Sequence, residues 1–134
     1  MSTTVWGYNG SYPGPTILAK KNVPLRFFWH NNLVDSNNHP LPHLLPIDLS
    51  IDWAFAGDPN WASYGVPVVP HLHGGHTESA SDGLPDAWFT PGFARKGKGF
   101  IKGDVEPYYY QNDQEASTIW YHDHASGVIT IKCI

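Results

Sequence analysis

The chain has 134 residues and a formal net charge of −4, and charged side chains make up only 15% of it. This length suits one domain, residues 1–134, with its own hydrophobic core. The acidic balance excludes a general nucleic-acid-binding surface, because phosphate contacts require an excess of Lys and Arg. The 13 glycines, the 12 prolines and an aromatic content of 14% favour an all-β sandwich or barrel over a helical bundle.

Sulfur-containing residues are scarce. Cys133 is the only cysteine and Met1 the only methionine. No internal disulfide can form, so the redox compartment stays open. A blue-copper site built from two His, one Cys and an axial Met therefore has little to draw on. The sequence has no apolar run near the roughly 18 residues of a membrane-spanning helix and no signal-peptide pattern, so we expect no membrane partner.

The first half of the chain contains short predicted strands between dense turn signals. Alternation and β-propensity predict strands over residues 16–19, 23–29 and 49–55. Prolines recur between positions 40 and 70 and rule out long helices there. His39 and His43 lie in this region without a partner at ligand spacing, and we interpret both as surface residues.

The second half is predicted to be richer in strands. A β-branched segment covers residues 66–73. Residues 105–111 and 117–122 flank a polar turn, a pattern that predicts a β-hairpin. Apolar and polar residues alternate over 128–134, which predicts a closing strand.

Two His-x-His pairs are the main functional signal. His71 and His73 end the first predicted strand, and His122 and His124 lie at the end of the second hairpin strand. In an extended segment the two imidazoles of such a pair project from one face, roughly 7 Å apart. Each pair can hold one metal ion or reach two neighbouring ions. We therefore predict that these four histidines are metal ligands.

The residues alone leave the metal open. A set of four histidines without a thiolate fits zinc, copper(II) or a cluster of several copper ions. A structural zinc site more often includes cysteines, so it is the less favoured of these. Metal-bound His usually donates its second ring N–H to a carboxylate or carbonyl, and an acid nearby can also deliver protons. Asp82, Glu78 and Asp123 are the candidates for these supporting roles.

Several motifs occur in a fixed order between Trp6 and Gly127. They are Trp6-Gly7-Tyr8-Asn9-Gly10, Pro13-Gly14-Pro15-Thr16-Ile17, His71-Leu72-His73-Gly74-Gly75, Ser81-Asp82-Gly83, Pro85-Asp86-Ala87-Trp88-Phe89 and Trp120-Tyr121-His122-Asp123-His124-Ala125. In this order they resemble the multicopper oxidases, specifically the laccase and bilirubin-oxidase branch that includes bacterial spore-coat laccases.

The resemblance implies a cupredoxin-like Greek-key β-barrel, the first of the three domains of the family. It implies that this domain supplies half of the ligands of a trinuclear copper cluster: His71 for the type-2 copper, His73 and His122 for one type-3 copper, and His124 for the other. Asp82 matches a catalytic acid that assists proton delivery while O₂ is reduced to water. The electrons come from phenols, aromatic amines, bilirubin-like pigments or metal ions.

The sequence also departs from the family. The other cluster ligands and the type-1 copper ligands lie in the last domain of the family and have no match here, so we expect a shortened first domain. A complementary multicopper oxidase domain or a second copy in a homodimer is then the expected partner. Whether the chain alone is an enzyme stays open. The alternatives are a non-catalytic copper-binding module and a cupin-type metalloenzyme, in which Glu78 would join His71 and His73 as a ligand.

Overall fold

The computed structural model describes residues 4–127, and this part of the chain is mostly non-helical. Its short antiparallel strands form two small sheets. The strands are β1 (Leu25–Phe27), β2 (Pro70–His73), β3 (Tyr108–Tyr110) and β4 (Trp120–Asp123); one helical turn, α1, covers Ser79–Asp82, and 3-10 turns cover Trp61–Ser63 and Pro91–Phe93. None of the helical segments described has the length and apolar character needed to cross a bilayer.

The two sheets have different strand partners. In the first, β1 pairs with β3 and places Phe27 opposite Tyr108. In the second, β2 pairs with β4 and places His71 opposite His122 and His73 opposite Trp120. Directly opposed residues of an antiparallel pair project from the same face. The second sheet therefore presents residues of both predicted His pairs on one side.

The helical turn α1 connects the two sheets. Ser81 is fully buried, and its hydroxyl accepts a hydrogen bond from the Tyr109 N–H in β3 at 2.9 Å. Gly83 ends the turn in the left-handed region, at φ +77°. A Cβ at this position would lie only 2.2 Å from the carbonyl oxygen of Pro70, the first residue of β2. Only glycine allows this close approach, so α1 is held directly against the start of β2.

The hydrophobic core lies beneath the strand ends that carry the histidines. Trp53, Phe55, Val69 and Ala125 form one buried cluster. Val69 precedes β2 and Ala125 follows β4 by two residues, so the core anchors both strands of the second sheet. The Trp53 and Phe55 rings meet edge to face at 5.3 Å, a favoured geometry for aromatic pairs.

Part of the predicted secondary structure is observed. The predicted strands at 23–29 and 66–73 are present in shortened form as β1 and β2. No strand forms over residues 16–19 or 49–55, so these two predictions were wrong. Leu18 is 92% exposed, and Trp53 and Phe55 reach the core from a chain of turns rather than from a sheet. The antiparallel, mostly non-helical character agrees with the all-β expectation, whereas the Greek-key order remains a prediction.

The predicted hairpin was also wrong. Its two strands exist as β3 and β4, but β3 pairs with β1 and β4 pairs with β2. Long-range contacts extend both pairings: the Tyr110 hydroxyl accepts a hydrogen bond from Trp29, just beyond β1, and the His124 N–H, just beyond β4, donates one to the Val69 carbonyl before β2 at 2.8 Å. The predicted closing strand at 128–134 lies outside the described residues.

Candidate metal centre

The four predicted histidines lie together on one face of the second sheet. The His71 and His122 rings, opposite each other in β2 and β4, have centroids 5.3 Å apart. His73 lies 5.5 Å from His122, and the His124 ring stacks on His71 at 4.6 Å. Two pairs that are far apart in the sequence therefore form one cluster of imidazoles.

Three of these histidines bring their ring nitrogens close enough to share one ion. One nitrogen from each of His71, His73 and His122 lies within 4.8 Å of the others. His73 Nδ1 is 3.3 Å from His122 Nε2. Two nitrogens at about 2.0–2.1 Å from one tetrahedral ion would be separated by about the same distance. His124 is not a member of this tight group, although its ring stacks on His71.

Main-chain carbonyls fix the orientation of three imidazoles. Nδ1 of His71 lies 2.5 Å from the Asp82 carbonyl, Nδ1 of His122 lies 2.8 Å from that of Asp123, and Nδ1 of His124 lies 2.9 Å from that of Gly83. A carbonyl can only accept, so Nδ1 is the donor in each case. In the neutral ring, Nε2 is then left with a free lone pair. This is the supporting arrangement that metal-binding histidines use.

The surroundings of His122 favour its neutral form. Burial lowers its pKa, and the neighbouring imidazoles of His71, His124 and His73 lower it further. The hydrogen bond to the Asp123 carbonyl opposes these effects without cancelling them. A lowered pKa favours the unprotonated ring, and only the unprotonated ring binds a metal.

The predicted acids have different surroundings. Asp82 Oδ1 lies 3.9 Å from His71 Nδ1 and accepts a hydrogen bond from the Thr77 hydroxyl at 2.6 Å. The Asp123 carboxylate accepts the N–H of Val69 at 2.8 Å, and its own main-chain carbonyl receives the His122 ring. The Glu78 carboxylate bonds to the Ser81 hydroxyl at 2.7 Å and lies 3.4 Å from the Lys102 ammonium. Asp82 is thus the acid whose carboxylate lies beside a site imidazole.

Sequence reasoning missed Trp120. Its indole stacks on His122 at 4.3 Å with an interplanar angle of 27° and on His73 at 4.9 Å with an angle of 19°. Period-two alternation could have found it, because Trp120 precedes His122 by two residues in β4 and so projects from the same face. The Gly83 carbonyl could not have been found this way, since α1 brings it to His124 from another part of the chain.

The two histidines that we interpreted as surface residues, His39 and His43, differ from each other. His39 is exposed, as expected, and its Nδ1 lies 3.4 Å from Asp35 Oδ2. His43 is half-buried and meets the rings of Trp53 and Trp61 edge-on, with centroids 5.9 and 6.2 Å away. The interpretation of His43 as a surface residue was therefore wrong, because it packs against the aromatic core.

Proteins of known family resemble the chain over almost its whole length. It is 45% identical to a laccase of Bacillus stratosphericus and 44% identical to a laccase of Bacillus subtilis (strain 168), in each case over 97% of the chain. It is 38% identical over 99% of the chain to the multicopper oxidase LPR2 of Arabidopsis thaliana. The chain is therefore similar, over almost its whole length, to proteins named laccase and multicopper oxidase. This confirms the resemblance drawn from the sequence motifs.

The chain corresponds to a fraction of each multicopper oxidase relative. It covers 23% of the length of the two Bacillus laccases and 21% of the Arabidopsis protein. The sequence matches none of the protein-family profiles. The four histidines lie inside the region that aligns with these longer relatives.

Proposed function

We propose that the chain is a copper-binding, cupredoxin-like domain of a laccase-type multicopper oxidase, and that it supplies half of the ligands of a trinuclear copper cluster. The observation that carries the proposal is the convergence of His71, His73 and His122, whose ring nitrogens lie within 4.8 Å of one another. The relatives named laccase and multicopper oxidase align with almost the entire chain and support the same assignment.

The donor set fits copper. The site consists of imidazoles without a thiolate, and neutral imidazole is a good copper ligand. Carbonyl hydrogen bonds at Nδ1 of His71, His122 and His124 leave Nε2 of each ring available. In the metal-free chain the Nδ1–H of His73 donates to His122 Nε2 at 3.3 Å, so this proton must leave Nδ1 before one ion can bind both nitrogens.

We assign His71 to the type-2 copper, His73 and His122 to one type-3 copper, and His124 to the other. The spacing supports the central pair, because His73 Nδ1 and His122 Nε2 are 3.3 Å apart. His124 lies outside the tight group of three, whereas His71 belongs to it, so the separate assignment of His71 to the type-2 copper follows from the motif resemblance and not from the spacing.

When bound, copper supplies the one-electron chemistry with which a laccase reduces O₂ to water. The chain contributes the ligands and, in our proposal, a proton donor. The Asp82 side chain is 30% exposed, so it can take up a proton from solvent. Its Oδ1 lies 3.9 Å from His71 Nδ1. The same oxygen accepts a hydrogen bond from the Thr77 hydroxyl, which holds the carboxylate in place. We therefore propose Asp82 as the acid that delivers protons.

A trinuclear cluster needs more ligands than these. Each copper ion takes about three or four ligands, so four imidazoles cannot complete three ions. We propose that a complementary multicopper oxidase domain supplies the rest. A second copy of the chain is the alternative source, since a two-fold interface brings the same surface of both subunits together.

Copper stoichiometry combined with electron paramagnetic resonance tests the proposal. The chain alone is expected to retain copper with a type-2 signal. A homodimeric cluster would instead retain roughly three ions per two chains, two of them coupled and silent. A chain that retains no copper after gel filtration would contradict the proposal, and sedimentation with and without copper separates the monomer from the dimer.

A second candidate is a non-catalytic copper-binding module. Within residues 4–127, the histidine group is the only set of three or more potential ligands that meets in space. Oxidation of a phenolic dye by the copper-loaded chain decides between the two, because a non-catalytic module would oxidise the dye no faster than free copper does. The cupin alternative has less support, since Glu78 is not a member of the group. It predicts that Glu78→Gln abolishes metal binding, whereas our assignment predicts that binding survives.

A further inference from the structure

The indole of Trp120 covers the two histidines that form the closest donor pair. Trp120 lies opposite His73 in the β2–β4 register and two residues before His122 in β4. Its ring is nearly parallel to both imidazoles, at 4.9 Å from His73 and 4.3 Å from His122. One side chain thus contacts ligands from both strands.

The two imidazoles are not equally restrained without it. The main chain holds His122, because its Nδ1 donates to the Asp123 carbonyl at 2.8 Å. His73 is exposed, and its Nδ1 faces His122 Nε2 at 3.3 Å instead of a carbonyl. An exposed ring with no carbonyl at Nδ1 can rotate about its side-chain bonds. The stack with Trp120, the contact with the His71 ring and the approach to His122 Nε2 restrict the rotation of the His73 ring.

The Trp120 side chain lies at the surface. It is 56% exposed, although a large aromatic ring gains from burial. Within residues 4–127 it is not part of the core cluster, and its ring contacts are with the two imidazoles.

We infer that Trp120 is a positioning residue of the metal site, which holds the His73 and His122 rings in the orientation that directs Nδ1 of the first and Nε2 of the second to one ion. The inference rests on the proposed function, because it assigns a role within the same site. Trp120 binds no metal itself; it lowers the conformational freedom that the two rings lose when an ion binds.

The experiment compares Trp120→Leu, which keeps apolar bulk but removes the stacking ring, with Trp120→Phe, which keeps a ring. Phe28→Leu is the matched control, because Phe28 is 54% exposed and lies in a different part of the chain. Copper(II) affinity is measured by competition with a chelator, and the imidazole signals of the metal-free chain are followed by nuclear magnetic resonance. Thermal melting of each metal-free variant verifies that it is folded.

Trp120→Leu is expected to weaken copper binding about threefold to tenfold, the range that corresponds to loss of one or two aromatic contacts. It should also remove the ring-current shifts of the His73 and His122 signals. Trp120→Phe should restore most of both, and Phe28→Leu should change neither.

Unchanged imidazole signals and unchanged affinity in Trp120→Leu would overturn the inference. If the wild-type chain binds no copper but its His73 signals still depend on Trp120, the proposed function fails while the positioning of the rings stands. If Trp120→Leu does not fold, Trp120→Phe carries the test, and loss of affinity or ring order in that folded variant despite its retained ring would contradict a role through stacking.

Discussion

Three main-chain carbonyls determine which nitrogen of each imidazole is available at the site. The carbonyls of Asp82, Asp123 and Gly83 accept hydrogen bonds from Nδ1 of His71, His122 and His124. A carbonyl has no proton to give, so the tautomer of each neutral ring is fixed. In the proposed metal site the backbone therefore orients the imidazoles without contacting the ion.

Replacing one of the proposed ligands should strongly weaken copper binding. His122→Ala removes an imidazole whose ring centroid lies within 5.5 Å of each of the other three, and we expect copper affinity to fall by more than about 100-fold, beyond the usual cost of losing a supporting contact. His76→Ala is the matched control, since His76 is exposed and its Nδ1 lies 3.5 Å from Asp113 Oδ1. Chelator competition measures both. Equal affinities in the two variants would contradict the assignment.

Asp123 lies between two proposed ligands, His122 and His124, and its carboxylate has a structural role of its own. Its carboxylate accepts the N–H groups of Val69 at 2.8 Å, just before β2, and of Ala125 at 3.3 Å, just after β4. Asp123→Asn keeps the shape but loses the charge, so we expect the free energy of unfolding to fall by about 1–2 kcal/mol.

Urea denaturation of the metal-free chain measures this loss, with Asp52→Asn at an exposed position as the control. A variant as stable as the wild type would show that the two hydrogen bonds add nothing to stability.

At the scale of elements, the one helical turn has an effect beyond its size. α1 ends at Gly83, where φ is +77° and a Cβ would lie 2.2 Å from the Pro70 carbonyl oxygen. Gly83→Ala should therefore cost more than the roughly 1–2 kcal/mol of a left-handed conformation alone, because backbone atoms must also move. It should weaken copper binding as well, since the Gly83 carbonyl orients His124.

Gly57→Ala separates the two effects. Gly57 has a similar φ of +78°, yet a Cβ there would meet nothing within 4 Å. We expect this control to show only the conformational cost in urea denaturation and no change in copper affinity. A loss of stability in Gly83→Ala no larger than that in Gly57→Ala would contradict the steric argument.

The elements also show how far the sequence alone could predict the structure. Alternation placed His71 and His73 on one face of a strand, because that pattern is a local property of extended backbone. It could not identify the partner of β4: the turn after β3 predicted a hairpin, whereas β3 pairs with β1 and β4 pairs with β2, both distant in the sequence. For the same reason, the carbonyl partners of the histidines were beyond prediction, since tertiary packing brings them into place.

For the whole molecule, the buried tyrosines predict instability at alkaline pH. Burial raises the pKa of Tyr110 to about 12, although the hydrogen bond from Trp29 works in the opposite direction. Burial also raises the pKa of Tyr8 and of Tyr108. An unfolded tyrosine ionises near pH 10, so the unfolded chain loses these protons first. Stability is therefore complete below about pH 10 and falls as the pH rises towards 12.

The contribution of one such group is measurable. The contribution of Tyr110 should make the free energy of unfolding about 1 kcal/mol lower at pH 11 than at pH 9. In Tyr110→Phe the loss between pH 9 and 11 should be smaller by about that amount, as followed by urea denaturation. An identical pH dependence in wild type and variant would show that Tyr110 does not ionise differently in the two states.

Copper itself should stabilise the molecule if it binds the folded state. An ion present at about 100 times its dissociation constant adds about 2.7 kcal/mol to the free energy of unfolding. The melting temperature should therefore rise on addition of copper and return on addition of a chelator, and His71→Ala should lose most of the effect. A melting temperature that copper leaves unchanged would contradict the metal site as a whole.

The pairing of β2 with β4 has a consequence for folding. Neither strand can form the site with its sequence neighbours, so the donor pair of His73 and His122 exists only after a long segment of chain has closed into a loop. Peptides that contain a single His pair, or a chain cleaved and separated between the two strands, should bind copper only weakly. Tight copper uptake during refolding therefore reports when β2 and β4 pair, and a spectroscopic copper signal can time that step directly.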